Sequence, residues 1–162
     1  MSMSLIISGN FDEKWVGEFA LKEWLLGLGI FTHALTITLI RGSYHTPYLT
    51  RVEAEKALKR YIRIVNNCCF QKAFNRGNKS LPCAAVYETK LYDENPHIHL
   101  AIGSPHNMNP RDFENILVDT IGQIRMFNKI YDLKPVVSSG WIGYLIKNGS
   151  DSLISSCCMA ER

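Results

Sequence analysis

The sequence predicts an α+β fold: a ferredoxin-like (split βαβ) antiparallel sheet with helices on one face, preceded by an N-terminal helix and followed by a C-terminal tyrosine-bearing helix. Three observations predict it. Strand-like alternation and helix-like periodicity follow one another in the order β-α-β-β-α-β. The two middle strands flank a short polar turn of the hairpin kind. The chain has 162 residues, 46% hydrophobic and 20% charged, which fills one domain with a sizeable core and leaves no room for a second of useful size.

Each element has its own signal. FDEKWVGEFALKEWLLGLG, residues 11–29, spaces Trp15, Phe19, Trp24, Leu25 and Leu28 near a helical period and ends in glycines, so residues 1–30 are expected as a helical extension. FTHALTITLIRG, 31–42, alternates and is rich in β-branched residues, which predicts the first strand. TRVEAEKALKRYIRIVNNCCFQKAFNRG, 50–77, offers Thr50 as a cap, with Glu53 at the third helical position and Leu58, Ile62, Val65 and Phe70 on one stripe. That predicts a long helix with a glycine stop. PCAAVYETKLYDENPHIHLAIG reads as two strands turning near residues 93–95. NPRDFENILVDTIGQIRMFNKI, 109–130, begins with Asn109 as cap and Pro110 at the first helical position, predicting a second long helix. YDLKPVV is expected as the last strand, and SSGWIGYLIKNG as a short helix capped by Ser138 or Ser139. Residues 31–150 then form the core and 151–162 a tail.

Composition narrows the function classes. A formal charge of +3 permits a polyanionic partner without demanding one. The five cysteines, Cys68, Cys69, Cys83, Cys157 and Cys158, have neither CxxC nor zinc-finger spacing and are read as reduced thiols of a cytoplasmic protein. No run approaches the roughly 18 apolar residues of a membrane span, and the start MSMSLIISGNFDEKW lacks the order of a secretory signal. RGNKS at 76–80 lacks phosphate-loop spacing and reads as a polar turn, and the Asn148-Gly149-Ser150 sequon would go unused inside a cell.

The chemistry-bearing residues gather in two stretches. In NPHIHLAIG, 95–103, strand alternation puts His97 and His99 on one face and Ile98 and Leu100 on the other. The neighbouring hairpin strand supplies Glu88, which shares that face if it lies opposite His97, centring the turn on Tyr92-Asp93, or opposite His99, centring it on Asp93-Glu94. Two imidazoles and a carboxylate leave coordination positions open, as a catalytic metal site requires. In GWIGYLIKNG, Tyr144 and Lys147 are three apart and share a helix face with Trp141 one turn earlier. A cation beside a phenol favours the phenolate that a tyrosine nucleophile needs.

THALTITL, then PHIHL with an upstream Glu88, then YLIK, in that order, resembles the HUH endonuclease superfamily, and most closely its single-tyrosine rolling-circle replication initiators (Rep nucleases). The resemblance runs from about Phe31 to Asn148. It implies that His97, His99 and Glu88 hold Mg²⁺ or Mn²⁺, that Tyr144 is the nucleophile and Lys147 the lysine of the YxxK motif, and that Thr36 and Thr38 are structural or near the DNA. Ligand type alone would favour Mn²⁺ or Zn²⁺. The implied activity is sequence-specific nicking and joining of single-stranded DNA through a 5′-phosphotyrosine, starting rolling-circle replication of a plasmid, phage or related element. A small-insertion-sequence tyrosine transposase and a non-catalytic nucleic-acid-binding module are the alternatives. Expected partners are single-stranded DNA or an origin hairpin, and a separate helicase and polymerase, with the protein a monomer or weak dimer. For DNA contacts, cations and aromatics that can hold phosphates and stack bases point to Arg41, Tyr44 and His45 in one loop, Lys56, Lys59, Arg60 and Arg63 on the long helix, and Lys79.

Overall fold

Six of the seven residues of HALTITL are buried, which places this strand in the interior of a sheet covered on both faces. A computed structural model of the chain describes residues 13–40, 50–89, 96–135 and 140–162. The strand is β1, His33–Leu39; it follows helix α1, Glu13–Leu26. Next come α2, Arg51–Phe70, a single turn α3, Lys72–Asn75, and strands β2, Cys83–Glu88, and β3, His97–Ile102. Helix α4, Pro110–Ile121, strand β4, Phe127–Pro135, and helix α5, Gly140–Leu145, complete the regular elements, with two 3₁₀ turns after them. Every strand pairing is antiparallel and the order is β2-β3-β1-β4, the split βαβ arrangement of a ferredoxin-like sheet.

Alternation sorts the strand residues onto two faces. Leu35, Ile37, Leu39, Ala85, Ile98, Leu100 and Ile102 pack with Ala54, Leu58, Tyr61, Ile62 and Val65 of α2 and Phe113, Leu117 and Ile121 of α4. Tyr61 is fully buried and its hydroxyl donates to the Leu117 carbonyl at 3.0 Å, which ties the two helices together. On the opposite face Ala84, Val86 and Ala101 pack with Leu25, Leu28 and Phe31 and with Ile142, Leu145 and Ile146 from the α5 region. That second layer carries Tyr144 to the sheet.

The caps form as the sequence predicts. Thr50 and Glu53 make a reciprocal capping box, and Asn109 accepts from the Arg111 amide at 2.9 Å with Pro110 behind it. Two boundaries differ. The helix expected over 50–77 breaks at Gln71, whose φ of 50° stops the hydrogen-bond ladder at Phe70. The helix expected over 109–130 ends at Ile121, and the strand expected from Tyr131 begins at Phe127. Ile121, Ile124 and Phe127 are all buried at steps of three, so the apolar spacing continues to look helical after the backbone has left the helix at Gly122. Pairing with the outer edge of β1 then decides in favour of strand.

Residues 151–162, expected as a tail, run beside the outer edge of β2. Val86 pairs with Leu153 and Cys83 with Met159, the Ile154 amide donates to Ala85 at 2.8 Å, and Ser80 and Arg162 exchange backbone hydrogen bonds. Arg51, at the start of α2, donates to the carbonyls of Asp151 and Leu153. All five cysteines are free thiols, and burial pushes Cys157 up to about 11. Among the described residues no helix is long and apolar enough to cross a membrane.

Candidate active site

The polar ends of β2 and β3 meet because the hairpin register pairs Glu88 with His97, the first of the two registers open to the sequence. His99 lies two pairs further in, between Val86 on β2 and Thr36 on β1, and Thr38 lies opposite His97. Glu88, His97, His99, Thr36 and Thr38 therefore share the face covered by α5.

His99 is the best-held member. Its Nδ1 is 3.0 Å from the Thr36 hydroxyl and its Nε2 is 2.7 Å from Glu88 Oε2, so both ring nitrogens are engaged. Burial lowers its pKa and the Glu88 contact only partly offsets this, which keeps the ring in the neutral form that ligates metals. The His97 ring lies parallel to it, with centroids 6.4 Å apart and 13° between planes. Burial would raise the Glu88 carboxyl, but hydrogen bonds from His99 and Lys147 outweigh it and hold the pKa below the usual glutamate value. Glu88 is thus an ionised acceptor at neutral pH.

Helix α5 reaches the site because Ile142 and Leu145, followed by Ile146, bury one stripe in the second core and leave the intervening side chains facing the histidines. The Tyr144 ring meets the His99 ring edge-on at 5.7 Å and lies 6.4 Å from Trp141, while 45% of Tyr144 stays exposed. Lys147 lies in the turn after the helix, where its amide donates to the Tyr144 carbonyl. Its Nζ is 4.0 Å from the Tyr144 ring centroid and 3.2 Å from Glu88 Oε1. A hydrogen bond to Tyr144 first, then the Glu88 contacts, raise the Lys147 ammonium above the usual lysine value. Asn148 Nδ2 lies 3.4 Å from the same Glu88 oxygen.

Glu88, His97, His99, Tyr144 and Lys147 are thus brought together. The cations of α2 are not. Lys56, Lys59, Arg60 and Arg63 are exposed on a helix packed against the opposite face of the sheet, and Lys59 is paired to Glu55 at 2.7 Å, so the DNA contacts expected of them concern a separate surface. Lys79 lies before β2, at the far end of that strand from Glu88, with its Nζ over the Phe70 ring. Arg41, Tyr44 and His45 lie outside the described residues. Sequence reasoning missed Asn148 as a site residue, seeing only a sequon, and nothing in its spacing marks it as a neighbour of Glu88.

No family model, curated protein or solved structure matches the chain. By type and by face, two imidazoles and an ionised carboxylate fit an open divalent-metal site, and the Thr36 hydroxyl on Nδ1 is the kind of outer contact that would orient a histidine ligand. Among the described residues no three acidic, histidine or cysteine side chains already converge on one metal position; Glu88 is paired with His99 and Lys147.

Proposed function

We propose that this chain is a metal-dependent nuclease and strand transferase that nicks and rejoins single-stranded DNA through a covalent bond to Tyr144, as rolling-circle replication initiators of the HUH kind do. One observation carries the reading. A half-exposed tyrosine touches the ring of a buried histidine whose partner is a carboxylate, and one lysine spans that carboxylate and the tyrosine.

The roles follow from the contacts. Tyr144 Oη attacks the scissile phosphorus in line; the new Oη–P bond replaces the P–O3′ bond, the phenol loses its proton, and the departing 3′ oxygen takes one up. A 5′-phosphotyrosine and a free 3′-OH result, and attack by a 3′-OH reverses the step and joins strands. Lys147 offsets negative charge at the phenol and the phosphate. Glu88, His97 and His99 would hold Mg²⁺ or Mn²⁺, which supplies charge neutralisation at the non-bridging phosphate oxygens. Thr36 and Glu88 fix the His99 ring. Access is open, since Tyr144 is exposed and His97 half-buried.

The test is a gel assay with a diverse pool of labelled single-stranded DNAs, comparing wild type with Tyr144→Phe in Mn²⁺ or in EDTA. A covalent adduct that needs both the metal and the Tyr144 hydroxyl is the expected result. DNA binding with no adduct from any member of the pool would refute the nuclease reading in favour of a binding module.

A further inference from the structure

Both oxygens of Glu88 are already in use. Oε2 faces His99 Nε2 at 2.7 Å, and Oε1 faces Lys147 Nζ at 3.2 Å and Asn148 Nδ2 at 3.4 Å. Since Thr36 holds the other nitrogen of His99, Nε2 is the atom that this ring has to offer a cation. A divalent ion that takes the carboxylate and Nε2 therefore meets an ammonium already pairing with the same carboxylate. Two positive groups cannot share that one carboxylate without mutual repulsion.

We propose that Lys147 is a displaceable counter-ion of Glu88: it competes with the divalent metal for the carboxylate, and metal loading releases it toward Tyr144 and the incoming phosphodiester. This rests on the nicking function proposed above and adds a regulation of the same site. Lys147 does not have to travel to change partners, because its Nζ lies 4.0 Å from the Tyr144 ring centroid while it pairs with Glu88. The side chain is 37% exposed, so it can leave the carboxylate without being pulled from a core. The exchange also matches charge to the reaction. With Glu88 paired to Lys147 the two are neutral together, whereas the metal and freed ammonium leave an excess of positive charge that an arriving phosphodiester offsets. Metal and DNA are then expected to favour each other's binding.

The experiment is a Mn²⁺ titration of the whole chain at low ionic strength, with no DNA, followed by the electron paramagnetic resonance signal of free aqueous Mn²⁺. Lys147→Gln is expected to bind Mn²⁺ about tenfold more tightly than wild type, a coupling in the usual range for interacting sites. Lys147→Arg, which keeps the charge, should bind no more tightly than wild type. The gain should vanish in a Glu88→Gln background, which separates competition for this carboxylate from a general effect of removing positive charge. Circular dichroism and thermal melts check that each variant is folded. Equal or weaker Mn²⁺ binding by Lys147→Gln, or a gain that persists without Glu88, would overturn the counter-ion role alone. If His97→Gln and His99→Gln leave Mn²⁺ binding unchanged, the metal site itself falls and the counter-ion role falls with it.

Discussion

Replacing Thr36 by valine removes one hydroxyl and little else, since valine keeps the branched shape and suits a strand. The hydroxyl lies 3.0 Å from His99 Nδ1, and His99 is only 8% exposed, so water cannot readily take its place. Losing a net hydrogen bond and leaving a buried ring nitrogen unpaired costs about 1–2 kcal/mol. For a domain of this size that lowers Tm by roughly 2–8 °C. The larger effect falls on the site. Thr36 sets the rotation of the imidazole that faces Glu88, and removing the outer partner of a metal-ligating histidine weakens metal affinity by about 10- to 100-fold. Thermal melts, Mn²⁺ titration and adduct yield on one protein preparation measure the two effects separately, and Thr36→Ser, which restores the hydroxyl, should recover most of the metal affinity. A Thr36→Val protein that melts lower but binds Mn²⁺ and forms adduct like wild type would refute the claim that this hydroxyl positions His99 for metal.

Three further outcomes are expected. His33 is buried, its ring against Phe113 and 3.5 Å from Glu114, and burial lowers its pKa from 6.5; the folded state therefore resists a proton that the unfolded state accepts. Its share of stability is complete above about pH 6.5 and erodes as pH falls from there through the folded-state value, so urea midpoints should drop less between about pH 7.5 and 5.5 in His33→Gln than in wild type. Gly103→Ala would put a Cβ 2.3 Å from the Ile30 carbonyl oxygen and 2.6 Å from Pro82 Cγ, which should cost about 1–3 kcal/mol in a urea titration; an unchanged midpoint would mean that the backbone there yields freely. Arg51→Met removes two hydrogen bonds to the carbonyls of Asp151 and Leu153 and should lower stability by about 1–2 kcal/mol, with a larger rise in hydrogen exchange at the Ile154 amide, which bonds to β2 from the C-terminal segment, than at the amides of β2 itself; a uniform rise would refute a local bracing role.

Much of the fold was legible because its signals are local. Thr50 with Glu53 and Asn109 with Pro110 announce helix starts through contacts spanning only a few residues. The pairing of Glu88 with His97 was legible up to one choice of register, because alternation fixes the face and the turn fixes the offset. The end of α4 was not legible: buried Ile121, Ile124 and Phe127 repeat every three residues, and only pairing with β1 turns the last of them into a strand. The α2 cations were read by type, and a helix's face relative to a distant site is a tertiary fact. Asn148 escaped for the same reason: its contact is with a side chain 60 positions away.

A four-stranded sheet has two rims, and this one treats them differently. The rim at β2 already has a neighbour, the segment from Leu153 to Met159, whose amides and carbonyls occupy positions that a foreign strand would otherwise seek. At the other rim β4 is largely exposed, with Ile130 and Tyr131 on view, and its defence is chemical: Lys129, the Asp132–Lys134 pair and Pro135 make it a poor template for further pairing. Any growth of the sheet by self-association would therefore proceed from one side only, and neutralising Lys129 and Lys134 is the change most apt to start it.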